Sequence, residues 1–92
     1  MLLYVVVYDI LCNKRRTKVS DLLEGYGRRV QYSVFECVLT AKKFDELRCR
    51  LKKQVNLPED SVRFYPLSRH TLANVEAWGG PPVTKAPDSL IV

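Results

Sequence analysis

An uninterrupted apolar run opens the chain and ends at a carboxylate. Residues 2–7 read Leu-Leu-Tyr-Val-Val-Val, and Tyr8, Asp9 and Ile10 follow directly. β-Branched and aromatic residues at consecutive positions predict a strand that is buried on both faces, from Leu2 to about Asp9. Because a half-buried charge costs free energy unless it is paired or bound to a metal, Asp9 is the first candidate functional residue.

A first amphipathic helix is predicted between Lys14 and about Tyr26. Asn13 is its candidate N-cap, and Gly25 and Gly27 are residues that end helices. Four apolar residues follow the i, i+3, i+4, i+7 spacing of one buried face: Val19, Leu22, Leu23 and Tyr26.

The segment from Arg28 to Thr40 is rich in Val, Tyr and Phe and is strand-like throughout. It is long for one strand, so two interpretations stay open: a single bent strand, or a hairpin that reverses near residues 31–33. No Asn-Gly or Asp-Gly pair marks such a reversal. A second helix is predicted over residues 41–55, and a further strand over residues 61–67.

The C-terminal part of the chain differs in composition. Val75-Glu76-Ala77-Trp78 is a candidate short strand, and Gly79-Gly80-Pro81-Pro82 stops it. The last residues, 89–92, are apolar and could add a strand to a sheet edge in a second copy or a partner, the alternative being a frayed end. The predicted domains are therefore residues 1–80 and a Pro-rich tail, residues 81–92.

The order strand, helix, one or two strands, helix, strand predicts an α+β sandwich of the ferredoxin-like βαββαβ type, with an extra C-terminal strand. Two helices would cover one face of its sheet. The first strand is apolar on both sides, so the other face also needs a cover. A second copy of the chain in a symmetric homodimer is the simplest one.

Composition and charge narrow the function classes. The chain has 92 residues, 47% of them hydrophobic, and 15 Lys and Arg against 10 Asp and Glu, for a net charge of +5. This balance favours an anionic partner, most often nucleic acid, although ordinary solubility charge would look the same.

The cysteines and the apolar segments indicate the cellular compartment. Three widely spaced cysteines and a single histidine argue against a zinc site or a disulfide framework, and are typical of reduced thiols in the cytosol. The apolar start is too short for a signal peptide, and no segment reaches transmembrane length. We therefore predict a soluble cytoplasmic protein with no membrane partner.

One carboxylate per chain makes a poor metal site, but two copies could complete it. A two-fold axis near the end of the first strand would bring both Asp9 side chains to one hard cation such as Mg2+, which can activate water for attack on a phosphodiester. The structural alternative is that Asp9 pairs with Arg15 or Arg16, or caps a loop.

Basic residues cluster around the first helix and the strand that follows it. They are candidate nucleic-acid contacts, because arginine binds phosphate with a bidentate fork and helix starts favour phosphate. The set is Lys14, Arg15, Arg16, Lys18, Arg28 and Arg29. Tyr8, Tyr26, Tyr32 and Phe35 are candidate stacking faces for unpaired bases, with a core role as the alternative for each.

Two further residues have simpler alternatives. Ser33 could bind a phosphate, but a serine at a strand bend is the default interpretation. His70 could act as a general base, but it equally fits an exposed loop. Tyr8 and Asp9 are neighbours in one strand, so they point to opposite faces unless the strand end twists.

Several segments together resemble the CRISPR-associated protein two family. The match covers roughly residues 1–80 in order and spacing, and its most specific part is Gln31-Tyr32-Ser33-Val34-Phe35-Glu36. The other segments are Val7-Tyr8-Asp9-Ile10, residues 13–18, Gly27 with Val30, and Val62-Arg63-Phe64-Tyr65-Pro66-Leu67.

The resemblance implies a homodimer, a hairpin split near Ser33, and two Asp9 residues that share Mg2+ or Mn2+. It implies metal-dependent endonuclease activity on single-stranded RNA or double-stranded DNA. It also implies an alternative, non-catalytic role: a scaffold that binds protospacer DNA and bridges CRISPR-associated integrase subunits in spacer acquisition. A ferredoxin-like toxin ribonuclease or regulatory domain outside the family is a third hypothesis.

By position, the resemblance also implies the roles of individual residues. The residues that it implicates in catalysis are Tyr8, Asp9, Arg16, Arg29, Ser33 and Phe35, with Asp9 as the metal ligand. Lys18 stands where some members have Arg, which keeps the charge but loses the bidentate fork.

Overall fold

The structure is a computed structural model, and it describes residues 1–84. Within these residues, four strands and three helices follow one another in the order βαββαβα. They are β1 Leu2–Asp9, α1 Asn13–Glu24, β2 Arg28–Gln31, β3 Val34–Leu39, α2 Ala41–Lys52, β4 Ser61–Leu67 and α3 Arg69–Leu72. Within this part of the chain, no helix is long and apolar enough to span a membrane.

The four strands form one antiparallel sheet in the order β2-β3-β1-β4. The first strand lies in the middle of the sheet, where Val6 is opposite both Phe35 of β3 and Phe64 of β4. This order, with two helices on one face, confirms the predicted ferredoxin-like fold. It places the end of β1, and thus Asp9, at the centre of one end of the sheet.

The core lies between the sheet and helices α1 and α2. Alternate residues of β1 and β3 face it, because successive side chains of a strand point to opposite faces. Its main members are Tyr4, Val6, Tyr8, Phe35, Cys37, Val19, Leu23, Leu47 and Leu51. On the other face, Val5 and Val7 are only half-buried. The prediction of a strand buried on both faces is therefore met only in part within one chain.

The strand-like segment after α1 is a hairpin, as the resemblance implied. The chain reverses at Tyr32 and Ser33, and the pairing of β2 with β3 shifts register between Arg29 and Gln31. Gly27 allows the two strands to approach closely. A Cβ at this position would lie 2.3 Å from the Glu36 carbonyl oxygen and 2.5 Å from Cys37 Sγ.

Both long helices differ slightly from their predicted bounds. Cys12, not Asn13, is the N-cap of α1, and Asn13 is the first helical residue. Helix α2 ends at Lys52 rather than Val55, because the chain turns there through backbone bonds to Leu51. The Thr40 side chain caps its start and accepts a hydrogen bond from the Lys43 amide.

The predicted strand at residues 75–78 is wrong. These residues form no regular element: the short helix α3 ends before them, at Leu72, and the Val75 amide closes a turn onto the Leu72 carbonyl at 3.1 Å. Residues 75–78 pair with no strand of the described sheet, so no ladder stabilises an extended segment there. The predicted C-terminal strand, residues 89–92, lies outside the described residues.

Candidate active site

Asp9 ends the central strand on the open face of the sheet. Its side chain is exposed and lies opposite Ser61 of β4. Within residues 1–84, no hydrogen bond or ion pair engages this carboxylate. The alternative that Asp9 pairs with Arg15 or Arg16 is thus wrong for this chain. An exposed carboxylate that no described residue engages is available to bind a cation.

Arg15 binds a different carboxylate. Its Nε donates to Asp60 Oδ2 at 2.8 Å, and its Nη2 donates to Glu59 Oε2 at 2.8 Å. The Asp60 carboxylate also accepts from the Asn56 amide at 2.8 Å. The Arg15 guanidinium holds the pKa of Asp60 below its usual value. Arg15 therefore joins α1 to the loop before β4. To contact a phosphate, as predicted, its guanidinium would have to give up bonds to Asp60 or Glu59.

Arg16 stabilises the loop that leaves β1. Its Nη1 donates to the Ile10 carbonyl at 2.8 Å, and its Nη2 donates to the Asn13 side chain. These bonds hold the guanidinium at the same end of the sheet as Asp9. The arginine keeps donors to spare, because a guanidinium has five N–H groups.

Arg29 lies above the aromatic core. Its guanidinium carbon is 5.3 Å from the centroid of the Phe35 ring, and it donates to the Ser20 hydroxyl. The Glu24 carboxylate is 3.6 Å away. Under it, the Phe35 and Tyr8 rings lie 6.3 Å apart, and both are buried. Phe35 and Tyr8 therefore support Arg29 from below and cannot offer a free face to a base.

The six predicted basic contacts do not form one patch. Arg28 precedes Arg29 in β2 and faces the other side of the sheet, where it donates to the Pro82 carbonyl at 3.2 Å. Lys14 and Lys18 are exposed on α1. The structure thus brings Arg16 and Arg29 together and separates Arg28 from them.

Ser33 contributes through its backbone. Its carbonyl accepts a hydrogen bond from the Tyr8 amide at 3.1 Å, which ties the β2–β3 turn to the end of β1. Beside this turn lies a depression of about 540 Å³. Its lining includes Tyr8, Arg16, Ser20, Arg29 and Tyr32. Three of the residues implicated by the resemblance therefore share one surface, on the helix side of the same sheet end that carries Asp9.

Sequence reasoning missed Asp60. It is only 6% exposed, yet its side-chain oxygens meet Arg15 and a backbone amide. A signal existed: an acidic residue directly before a predicted strand, four residues after Asn56. Nothing in that local pattern showed that its partner lies 45 positions earlier.

The three thiols, Cys12, Cys37 and Cys49, are free in the structure. Burial raises the pKa of the Cys37 thiol to about 11. The backbone N–H groups of Arg15 and Lys14 at the start of α1 lower the pKa of Cys12. No described histidine or carboxylate converges with a thiol into a metal-binding group of three.

Comparison with known proteins places the chain in one family. A sequence profile described as CRISPR associated protein Cas2 matches residues 1–75. This chain belongs to the Cas2 family. The resemblance found in the sequence is confirmed, and the hypothesis of a toxin or regulatory domain outside the family is wrong.

Cas2 relatives match most or all of the chain. The CRISPR-associated endoribonuclease Cas2 3 of Synechocystis sp. (strain PCC 6803) is 62% identical over 92 residues, which is 100% of both chains. The crystal structure of Streptococcus pyogenes Cas2 at pH 6.5 is 36% identical with a TM-score of 0.75, covering 84% of this chain and 99% of that one.

A third Cas2 likeness comes from an assembly. A chain of a structure described as a partial Cas6-RT-Cas1–Cas2 complex is 31% identical, with a TM-score of 0.80 over 100% of both chains. These solved structures show that the Cas2 fold extends over this chain.

Proposed function

We propose that this Cas2 chain is a metal-dependent endonuclease that acts in CRISPR spacer acquisition and antiviral defence. Its substrate would be single-stranded RNA, or double-stranded DNA. The observation that carries the proposal is Asp9, an exposed carboxylate with no ion-pair partner in residues 1–84, at the end of the central strand. The relative from Synechocystis, named an endoribonuclease, supports it.

The residues present suit half of a metal site. Residues 1–84 contain no group of three or more His, Cys, Asp or Glu that could hold a metal within one chain. A hard cation such as Mg2+ or Mn2+ needs only one or two carboxylates, with waters and substrate phosphate as its other ligands. Asp9 of each copy in a symmetric dimer would provide these two carboxylates. When bound, the ion would supply Lewis-acid activation of the attacking water.

The open sheet face supports the dimer. Four half-buried valines lie on it, Val5, Val7, Val34 and Val38, with Glu36 opposite Val5, where the Glu36 carboxylate accepts hydrogen bonds from Thr84. A second copy on this face would remove the apolar surface of these valines from water. Because Asp9 ends β1 on the same face, the two-fold axis would pass close to both carboxylates.

The other site residues would hold the substrate. Arg16 and Arg29 lie on one surface beside the strand end, where each guanidinium can bind a phosphate oxygen. Tyr8 and Phe35 would keep Arg29 in position from the core, and Ser33 would fix the turn against β1. Asp9 would act at the scissile phosphate from the opposite face of the strand.

Cleavage assays test the proposal. Purified wild-type chain and Asp9→Asn are incubated with single-stranded RNA and with duplex DNA, with Mg2+ or Mn2+ and with a chelator. The matched control is Asp45→Asn, an exposed carboxylate on α2. We expect cleavage by the wild type and the control only, and only with metal. Equal cleavage by wild type and Asp9→Asn would point to a contaminating nuclease and overturn the proposal.

The second candidate function is a non-catalytic scaffold. It would bind protospacer DNA through basic residues and bridge integrase subunits. The observation that favours it is the full-length likeness to the chain of the Cas1–Cas2 assembly. Spacer acquisition should then survive Asp9→Asn, fail on removal of residues 81–92, and depend on duplex binding that weakens steeply with salt. Loss of acquisition in a well-folded Asp9→Asn dimer would contradict this role.

The proposal places the chain in the cytoplasm. Three free thiols, one of them fully buried, suit a reducing compartment. A tagged chain recovered with the cytoplasmic fraction would support this location, and recovery with the membrane fraction would contradict it.

A further inference from the structure

Tyr32 is an aromatic side chain that the fold leaves in solvent. It lies in the two-residue reversal between β2 and β3 and is 84% exposed. The other aromatic residues at this end, Tyr8 and Phe35, are buried. An exposed tyrosine beside a pair of arginines is a combination that suits nucleic-acid binding. The ring offers a stacking face, and the guanidinium groups bind phosphate.

The arginines next to Tyr32 are held in place. Arg29 is fixed by the Phe35 ring below it and by the Ser20 hydroxyl, and Arg16 by the Ile10 carbonyl. Both line the same depression of about 540 Å³ as Tyr32. A guanidinium that is already oriented loses less side-chain entropy when it binds a ligand. The depression therefore combines one free aromatic face with two positioned cations.

We propose that Tyr32 stacks an unpaired base, while Arg16 and Arg29 hold the adjoining phosphate, so that Tyr32 selects single-stranded over duplex nucleic acid. This inference rests on the proposed nucleic-acid function. It adds the residue that distinguishes single-stranded from duplex nucleic acid. The turn carrying Tyr32 is tied to β1 by the bond from the Tyr8 amide to the Ser33 carbonyl. A nucleic-acid strand held there would lie next to the end of β1, which carries Asp9.

Base pairing explains the selectivity. In a duplex, each base is stacked on its neighbours, so a protein ring gains no free face without unstacking the helix. In a single strand the base faces are accessible, and aromatic stacking tolerates every base. The ribose 2′-hydroxyl takes no part in stacking, so RNA and DNA single strands should respond alike.

Acidic side chains reduce the positive charge of the depression. Asp21 and Glu24 also line the depression, and Glu24 lies 3.6 Å from Arg29. Both members of that pair are well exposed, so the pair itself contributes little stability. A phosphate can replace the Glu24 carboxylate at Arg29, and removal of the Glu24 charge should favour that exchange.

Binding measurements test the proposal. All variants are made in the Asp9→Asn chain, in which the proposed cleavage cannot occur, and labelled twelve-nucleotide RNA, DNA and duplex probes are titrated by fluorescence anisotropy. We expect Tyr32→Ala to weaken binding of both single strands by about five- to 150-fold, the range for the loss of one stacked base. Tyr32→Phe should retain their affinity, and duplex binding should not change.

Two further variants should behave differently from Tyr32→Ala: one should strengthen binding, and the other should leave it unchanged. Glu24→Gln should strengthen single-strand binding. Trp78→Ala removes another exposed aromatic residue, which lies outside the depression, and should leave binding unchanged. Unchanged single-strand binding by Tyr32→Ala, or an equal loss with the duplex, would overturn the inference. The proposed cleavage is judged separately in the Asp9-containing chain, so failure of one proposal does not count as failure of the other.

Discussion

Arg15 and Asp60 form an ion pair that joins two distant parts of the chain. The Arg15 Nε lies 2.8 Å from Asp60 Oδ2, and the Asp60 side chain is fully buried beneath it. The pair fixes the start of α1 against the loop before β4. It also explains why a cation that follows Asp9 closely in sequence does not neutralise it.

Acid should remove the contribution of Asp60 to stability. Hydrogen bonds from Arg15 lower the pKa of this carboxyl in the folded state relative to its usual 3.8. Its contribution is therefore complete above pH 3.8 and is lost as the pH falls through the folded-state pKa. Urea unfolding from pH 7 to pH 3 measures it. Asp60→Asn should be less stable than wild type at pH 7, and the difference should shrink in acid. A constant difference would contradict this assignment.

Gly27→Ala should destabilise the fold through the contact between β2 and β3. The added methyl group would overlap the Glu36 carbonyl and the Cys37 sulfur, so the strands must separate. Overpacking of this kind costs about 1–3 kcal/mol, measurable by chemical denaturation. Gly25→Ala is the matched control, because its Cβ would meet only the Leu22 carbonyl at 3.4 Å and its φ of −76° suits any residue. Equal effects of both variants would contradict the close approach.

Phe35→Ala should act mainly on stability. The ring is fully buried against Tyr8 and beneath Arg29, so its removal should lower the free energy of unfolding by about 3–5 kcal/mol. Thermal unfolding measures this loss. Phe35→Leu keeps most of the buried volume and should recover much of the stability. A Phe35→Ala variant that unfolds like the wild type would contradict the burial of this ring in the core.

The three cysteines should differ in the reactivity of their thiols. Cys49 is exposed, whereas Cys37 is buried and its pKa is raised to about 11. Cys12 is half-buried, and its lowered pKa favours the reactive thiolate. Titration with dithionitrobenzoate should detect Cys12 and Cys49 in the native protein, and Cys37 only after unfolding. Fast native labelling of Cys37, identified with Cys37→Ser, would contradict the burial.

The sequence by itself determined β1, β4 and the two long helices of this protein, and left the hairpin of β2 and β3 open. Consecutive apolar residues in β1 and the helical spacing of Val19, Leu22 and Leu23 are local patterns, and each follows from the geometry of its own element. Their order predicted the ferredoxin-like sandwich, and the apolar strand that ends at Asp9 predicted the candidate site. The motif around Phe35 identified the family.

Only the tertiary structure decided which groups meet. It assigned Arg15 to Asp60, 45 positions away, and left Asp9 without an ion pair in the described chain. It buried Phe35 beneath Arg29 and left Tyr32 in solvent. Local periodicity tells which face of an element is apolar, but ion pairs and exposure depend on how elements pack. For this reason, the sequence named the basic residues, and the fold separated structural arginines from those beside the site.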